Sequence, residues 1–404
     1  MSNWLDIIGV TEAGVEALPS HLKTLFGKAE IVLAPKRFLA QLAAINGQEH
    51  VHWQSPFSAM LEQVRQYRGR PTVILATGDP NWFGIGATLA NHLDSEEFTL
   101  HPAPSAFQLA GAKMHWALQN VATLSLHGRA VENLHPHVLP QNRILALTSN
   151  GKTMVEVARL LAARGYGQSA INVLENLGSD NERLTRFTAN EAEHQNIGNF
   201  YTLAIQCIPD PDAPLLPAIP GLPDNAFQHD GQLTKRQVRA ATLAALAPFP
   251  DALLWDVGAG SGSVGIEWMR AARNASAICF EREQSRGKAI ALNAKNLGVP
   301  GLKTVSGSAP ASLGGQPAPD AVFIGGAVAD DAVFKACWGA LKPGGRLVAN
   351  AVTLAGQQTL VGRHKEHGGE LCAIAISSLA EIGEQSILRP ALPVTQWSLR
   401  KPAP

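Results

Sequence analysis

Between Ile208 and Asp224 the chain reads IPDPDAPLLPAIPGLPD, with prolines at 209, 211, 214, 217, 220 and 223. Proline has no backbone N–H to give to a helix or a sheet ladder, so this segment is excluded from the interior of any regular element. From Pro211 onward the spacing is three, the period of polyproline II, which predicts a stiff spacer rather than a floppy tether. At ~3.1 Å per residue it could hold its ends roughly 45 Å apart. The 404 residues therefore divide into two bodies, 1–207 and 225–404, joined by 208–224. Each is long enough to bury its own core.

Both bodies alternate short aliphatic runs with helix-like stretches. In the first, LDIIGV, AEIVLA, PTVILATG, RILALTS and AINVLEN read as strands, and KTMVEVARLLAARGYG (152–167) reads as a helix closed by glycine. In the second, LLWDV, SAICFE, DAVFIGG and RLVANAV read as strands separated by helices over 235–247, 284–298 and 330–345. This alternation predicts an α/β protein with mainly parallel sheets. Neither half repeats the other, so two different α/β domains are expected.

Composition narrows the class. Apolar residues make up 46% and charged residues 16%, the balance of a folded soluble enzyme. Lys plus Arg and Asp plus Glu both total 33, so no broad field favours nucleic acid, and RNA methylation has no support in the charge. Cys207, Cys279, Cys337 and Cys372 form no CxxC pair and read as reduced, buried thiols of a cytoplasmic protein. No apolar run approaches the ~18 residues of a membrane span. The opening MSNWLDIIGV lacks the basic and apolar regions of a signal peptide. His135 with His137, and His364 with His367, lack a third ligand at recognisable spacing, so no metal is expected. Arg282, Arg286 and Lys288 read as an ordinary exposed helix face.

The chemistry concentrates in LLWDVGAGSGSVGIE, residues 253–267. Glycines after a strand let the backbone approach a ligand, and the following helix N-terminus favours negative charge. From Gly260 the letters satisfy the dinucleotide pattern G-x-G-x-x-G. From Asp256 they spell D-V-G-x-G-x-G, the glycine loop of an S-adenosylmethionine site. The dinucleotide fingerprint should begin straight after the strand, yet reading from Gly258 puts Ser263 where its third glycine belongs. Glu281 ends the next strand, where a carboxylate can accept both hydrogen bonds of a ribose diol; an NAD site wants the same acid. KPGGRLVANAV (342–352) follows a helix and enters a strand, as in S-adenosylmethionine-dependent methyltransferases. An NAD(P)-dependent oxidoreductase is the competing enzyme reading, and a tetrapyrrole-carrying or assembly module the non-catalytic one.

Four segments of the second body resemble a cobalamin-pathway methyltransferase family: DGQLTKRQVRAATLAAL (230–246), WDVGAGSGSVGIEW, DAVFIGG (320–326) and RPALPVTQW (389–397). The resemblance covers essentially all of 225–404. It implies a Rossmann-like domain that methylates C15 of a precorrin and decarboxylates its C12 acetate. It also implies that Thr234, Gly258, Ala259, Gly260, Ser261, Gly262, Glu281 and Ala309 line the S-adenosylmethionine site. Ser308 stands where the family places an acid, at the position expected to bond the adenine. Methyl transfer to an enamine-like carbon requires no mandatory side-chain base. A precorrin bears many carboxylates, and Lys235, Arg236 and Arg239 are the candidates to meet them; a solvated helix face is the plain alternative.

The first body lacks that loop and carries TGDPNWFGIG (77–86) directly after PTVILA. Taken alone this is as well an ordinary Gly-Asp-Pro turn. It resembles the loop of the tetrapyrrole methylase family, a two-subdomain αβα fold with S-adenosylmethionine in the cleft. APSAFQLAGAKM (103–114), SLHGR (125–129), TSNG (148–151) and ENLGS (175–179) are similar to the precorrin C5-methylating branch. The resemblance implies cofactor contacts at Gly9, Gly78, Asp79, Pro80 and Ser105, with Thr11 standing where a glycine is usual, and makes Arg129 a substrate-carboxylate candidate. The order of the two halves matches bifunctional precorrin methyltransferases. They use one S-adenosylmethionine per domain, act on a cobalt-free or cobalt-bound tetrapyrrole to give precorrin-8X or its cobalt counterpart, and self-associate.

Overall fold

The computed structural model describes residues 3–54 and 57–403. The chain resolves into two compact units, one of residues 1–131 with 140–213, the other of 132–139 with 214–404.

In the first unit, β1 (Leu5–Val10), β2 (Ile31–Ala34), β3 (Glu49–His52), β4 (Thr72–Thr77) and β5 (Phe98–His101) form a wholly parallel sheet ordered β3-β2-β4-β1-β5. Ile7, Leu33 and Ile74 pack into one apolar cluster while their neighbours Ile8, Val32 and Leu75 pack into another. Both faces are covered, which is why these strands read as unbroken apolar runs. A second sheet holds β6 (Ala122–Ser125), β7 (Arg143–Leu147), β8 (Ala170–Glu175), β9 (Arg183–Thr188) and β10 (Tyr201–Gln206), ordered β6-β7-β10-β8-β9. Here the expectation of mainly parallel sheets fails, because of the four neighbouring pairs only β6 with β7 is parallel. β9 turns straight back on β8, and β10 returns between β7 and β8, so neither needs a crossover helix. The helix expected over 152–167 spans Gly151–Ala163, and Gly165 rather than Gly167 takes the left-handed conformation that ends it (φ 73°).

The second unit is built on β11 (Leu253–Val257), β12 (Ser276–Glu281), β13 (Lys303–Ser306), β14 (Ala321–Ile324), β15 (Arg346–Ala351), β16 (Glu370–Ile374) and a last strand. Between β16 and that strand lies a separate hairpin of β17 (Ser377–Ile382) and β18 (Gln385–Pro390); β19 (Val394–Arg400) then closes the sheet. The order is β13-β12-β11-β14-β15-β19-β16, parallel except for β19, which runs antiparallel between β15 and β16. Strand order reverses between β11 and β14, so the ligand crevice of an open α/β sheet lies at their carboxyl ends. Trp255, Phe280, Phe334 and Trp397 fill one face and Trp268, Leu243 and Phe323 the other.

The proline-rich segment is not a free spacer. The Ile208 N–H donates to Ser169 Oγ at 3.0 Å and the Asp210 N–H to the Gly165 carbonyl at 2.7 Å, both in the first unit. From Pro214 onward the chain belongs to the second unit. There Arg270 donates to the Leu216 carbonyl at 2.7 Å, and Glu267 accepts from the N–H groups of Gly221 and Leu222. Leu216 and Leu222 are buried beside Ile266 and Leu297. The prolines leave the intervening carbonyls and amides exposed to capture by buried charged side chains, a pairing no local spacing reveals.

None of the four cysteines is in a disulfide; Cys207, Cys279 and Cys337 are buried as expected of core thiols, whereas Cys372 is exposed on the outer strand β16. Among the described residues no helix is long and apolar enough to cross a membrane.

Candidate functional site

In the second unit β11 runs directly into the glycine loop. Gly258, Gly260 and Gly262 all have positive φ (74°, 58° and 74°), which favours glycine at each. A Cβ on Gly258 would lie 2.8 Å from the Gly326 nitrogen, in the turn after β14. Two strand ends are thereby drawn together at the point where the sheet order reverses. Glu281, at the end of β12 and 5% exposed, fixes the loop from the side: Oε2 accepts from the Gly260 N–H at 2.9 Å and Oε1 from the Glu283 N–H at 3.0 Å. Beneath the loop, Asp256 accepts from the Gly265 N–H at 3.0 Å. Burial pushes its carboxyl up to about 7, and its Oδ1 has no hydrogen-bond partner. Burial and the adjoining Asp256 push the Cys279 thiol well up as well.

These strand ends floor a cavity of about 1240 Å³. Thr234, Gly258, Ala259, Gly260, Glu281 and Ala309 all line it, so six of the eight expected cofactor residues of this half converge there. Ser261 and Gly262 do not. Ser261 is buried below the loop with its carbonyl held by Asn293 at 3.0 Å, and Gly262 precedes the helix Ser263–Ala271 and packs on Ile290. The second glycine of a dinucleotide loop should face a pyrophosphate, so this turning-away of Gly262 removes the reading that starts at Gly260.

The cations sort differently from expectation. Lys235 and Arg236 line the cavity. Arg239 cannot meet a substrate carboxylate: it is fully buried, with Nε on Glu267 at 2.6 Å and its other nitrogens on Asp224 and the carbonyls of Thr234 and Leu222. Its partner Glu267 lies 28 residues further on, on the next helix, and only the fold brings them together. Conversely Arg282 and Arg286, read as a plain helix face, line the cavity; Arg286 pairs with Asp230 at 2.9 Å. The signal was available, since both follow within five residues of Glu281 at a strand end.

In the first unit the strand ends of β1 and β4 pack against each other. A Cβ on Gly9 would fall 2.2 Å from the Gly78 carbonyl oxygen and 2.8 Å from the Ala103 nitrogen. Gly78 has φ 66°, and its own Cβ would lie 2.9 Å from Ser105 Cα. Gly9, Gly78 and Ser105 therefore meet. Asp79 Oδ1 accepts from the Asn81 N–H at 2.8 Å, and Gly84 closes over the Pro80 carbonyl. The Ser105 hydroxyl caps the helix Ala106–Met114, accepting from the Phe107 N–H at 3.2 Å, so any cofactor contact falls to its backbone. Arg129 lies over the Phe83 ring of the same loop at 5.5 Å.

Arg37 was not singled out from sequence. Its guanidinium donates to Thr77 Oγ1, next to Gly78, pairs with Glu12 at 3.2 Å, and lies over the rings of Phe38 (4.8 Å) and Phe200 (4.4 Å). Desolvation lowers its pKa, with Glu12 opposing. Only PKRF after β2 hinted at it, a pattern indistinguishable from a solvated turn.

Comparison with known proteins covers both halves. Residues 7–193 match the model of the Tetrapyrrole (Corrin/Porphyrin) Methylases, and residues 225–401 that of the Precorrin methyltransferase domain. The precorrin-6Y C(5,15)-methyltransferase [decarboxylating] of Sinorhizobium sp is 45% identical over 402 residues, 99% of this chain and 97% of that protein. The protein of the same name from Mycobacterium tuberculosis (strain CDC 1551 / Oshkosh) is 34% identical over 98% of this chain and 99% of its own length. The cobalt-precorrin-7 C(5)-methyltransferase of Salmonella typhimurium is 30% identical over 181 residues, 45% of this chain and 88% of its own. With both glycine turns built at the expected strand ends and the match running from end to end, the chain belongs to the precorrin-6Y C(5,15)-methyltransferase (decarboxylating) family.

Proposed function

We propose that the chain methylates a cobalt-free precorrin at two carbons and removes one carboxyl group, giving precorrin-8X for corrin-ring synthesis. The first body (1–207) adds the C5 methyl, and the second (225–404) adds the C15 methyl and decarboxylates the C12 acetate. The observation that carries this reading is the meeting of Thr234, Gly258, Ala259, Gly260, Glu281 and Ala309 at one cavity, in a chain related along its whole length to enzymes of that name.

The residues fit S-adenosylmethionine. Positive-φ glycines at the strand end leave the backbone open to a ligand, and a buried carboxylate ends the next strand in reach of a ribose diol. When bound, S-adenosylmethionine supplies an electrophilic methyl group on a good leaving group. Glu281 holds the loop and the ribose, Thr234 closes the opposite rim, and Gly9, Gly78, Asp79, Pro80 and Ser105 form the corresponding turn in the first half. Lys235, Arg236 and Arg282 meet precorrin carboxylates in the second half, and Arg129 with Arg37 in the first. The acceptor carbon is nucleophilic by itself, so positioning and exclusion of water supply the catalysis. In decarboxylation the bond from the acetate methylene to the carboxyl carbon breaks, carbon dioxide leaves, the electron pair passes into the ring, and a proton ends on the methylene carbon.

A cytoplasmic setting and self-association belong to this reading. The hairpin of β17 and β18 exposes Leu379, Ile382 and Leu388, an apolar surface of the kind that second copies cover. Mass spectrometry of precorrin-6B incubated with S-adenosylmethionine and the full chain tests the function. The expected product gains two methyl groups and loses one carbon dioxide; an unchanged mass sinks the cobalt-free reading. The Salmonella relative named for a cobalt-precorrin favours the cobalt-bound substrate as the second reading, tested by the same assay.

A further inference from the structure

The cavity of the second unit has two unlike sides. Toward β12 and β13 it is ionic, with Glu281, Arg282 and Arg286. Toward β15, β16 and β19 its wall is Val352, Ile374, Ile376, Leu392 and Val394, none of them charged, with Val352 and Leu392 largely exposed. Such a wall suits the face of a macrocycle. Within it, at the end of β15, stands the amide of Asn350.

That amide is held rigidly. Its Nδ2 donates to Thr242 Oγ1 at 2.8 Å, and its Oδ1 accepts from Gln396 Nε2 at 3.0 Å. Gln396 is its cross-strand neighbour on β19 and also donates to Thr242 Oγ1 at 3.0 Å, while Thr242 donates to the Val238 carbonyl at 2.8 Å. Thr242 is buried and saturated by these bonds, and both N–H groups of the buried Gln396 are used; of the three, only Asn350 lines the cavity, with one N–H and one lone pair left over. A buried polar triad at an apolar sheet end is costly unless every member is satisfied.

We propose, resting on the function above, that Asn350 is the residue that orients the acetate carboxylate to be lost, with Thr242 and Gln396 as its positioning residues. A neutral donor suits that task. A cation would stabilise the carboxylate before reaction and lose that interaction as neutral carbon dioxide leaves, raising the barrier. An amide fixes the direction of the breaking bond with far less ground-state stabilisation.

The test uses the full chain with precorrin-6B and S-adenosylmethionine, reading C5 methylation, C15 methylation and carbon dioxide loss separately by mass spectrometry. In Asn350→Leu, the ratio of carbon dioxide lost to C15 methyl gained should fall about tenfold or more, the loss of one oriented hydrogen bond. C5 methylation and the affinity for S-adenosylhomocysteine, measured by titration calorimetry, should stay within about twofold. Thr242→Val and Gln396→Leu should lower the same ratio by less. Asn350→Ser gives a second, smaller side chain should the leucine variant fail to fold, with the same fall expected. An unchanged ratio, or an equal fall of both steps together with weakened S-adenosylhomocysteine binding, overturns the assignment to Asn350. Absence of both steps in the unmodified chain instead sinks the function on which it rests.

Discussion

The glycine loop of the second unit is held by charge in addition to close contact, and the Gly-Asp-Pro turn of the first by close contact. Around Gly258–Gly262, the buried carboxylate of Glu281 accepts the Gly260 and Glu283 N–H groups, and Glu267 with Arg239 ties the preceding segment to the same body. Around Gly78, the shape comes from glycines so close to neighbouring backbone that no Cβ fits. Removing the charge of Glu281 or Arg239 should therefore break the second site, and adding a methyl group should break the first.

The largest effect is expected at Arg239. Arg239→Ala strands Glu267 as an uncompensated buried carboxylate, and removal of one partner of such a pair costs about 3–5 kcal/mol. Calorimetric melting of the full chain should show the second unit unfolding first. Arg236→Ala, three residues earlier and exposed, should leave the melt within about 0.5 kcal/mol of the parent. Equal melts for the two variants would mean that the buried network does not hold this half together.

Gly9→Ala is the matching break in the first unit. Its methyl would sit 2.2 Å from the Gly78 carbonyl, so β1 and β4 must part and the turn between them must shift. A displacement near 1 Å at a reacting site costs about a hundredfold, and C5 methylation should fall by that much or more while C15 methylation persists. A product still carrying both methyl groups at the parent rate would show that the turn tolerates displacement. Glu281→Ala reverses the pattern at smaller cost. Loss of the acceptor for the Gly260 and Glu283 N–H groups should weaken S-adenosylhomocysteine binding to the second half about ten- to a hundredfold. Titration should then show one tight site where the parent shows two.

The difference in construction also explains what could be read in advance. WDVGAGSGSVG announces itself because left-handed turns demand glycine at fixed spacing, and Glu281 is placed by simple register at a strand end. The same holds for Gly78 after PTVILA. What stayed hidden depends on partners far apart in sequence. Arg239 looks like an exposed helix residue until Glu267 is seen facing it, and Thr242, Asn350 and Gln396 become one network only across 154 residues. The antiparallel strands β9, β10 and β19 carry no special composition, since direction is set by the connection and not by the strand. The prolines were read correctly as incompatible with sheet or helix, yet their docking was decided by Arg270, Glu267 and buried leucines, which no proline spacing encodes.

Asp256 sharpens the contrast most finely, because its charge works against the fold that its hydrogen bond supports. Burial raises its pKa to about 7, whereas in an unfolded chain it titrates near the ordinary aspartate value of about 4. Between those limits the folded state binds more protons than the unfolded state. Stability of the second unit therefore falls as pH rises from about 4 to about 7, and levels off above. Asp256→Asn keeps an acceptor for the Gly265 N–H and carries no charge at any pH. At pH 4 and below the variant and the parent should melt nearly together, and at pH 8 the variant should melt higher by on the order of 10 °C, the effect of raising one carboxyl from about 4 to about 7. The first unit supplies the internal reference, since its transition should not move at either pH. A variant that melts lower at pH 8 would mean that the ionised carboxylate is tolerated beneath the loop, and that charge there supports the glycine turn without opposing it.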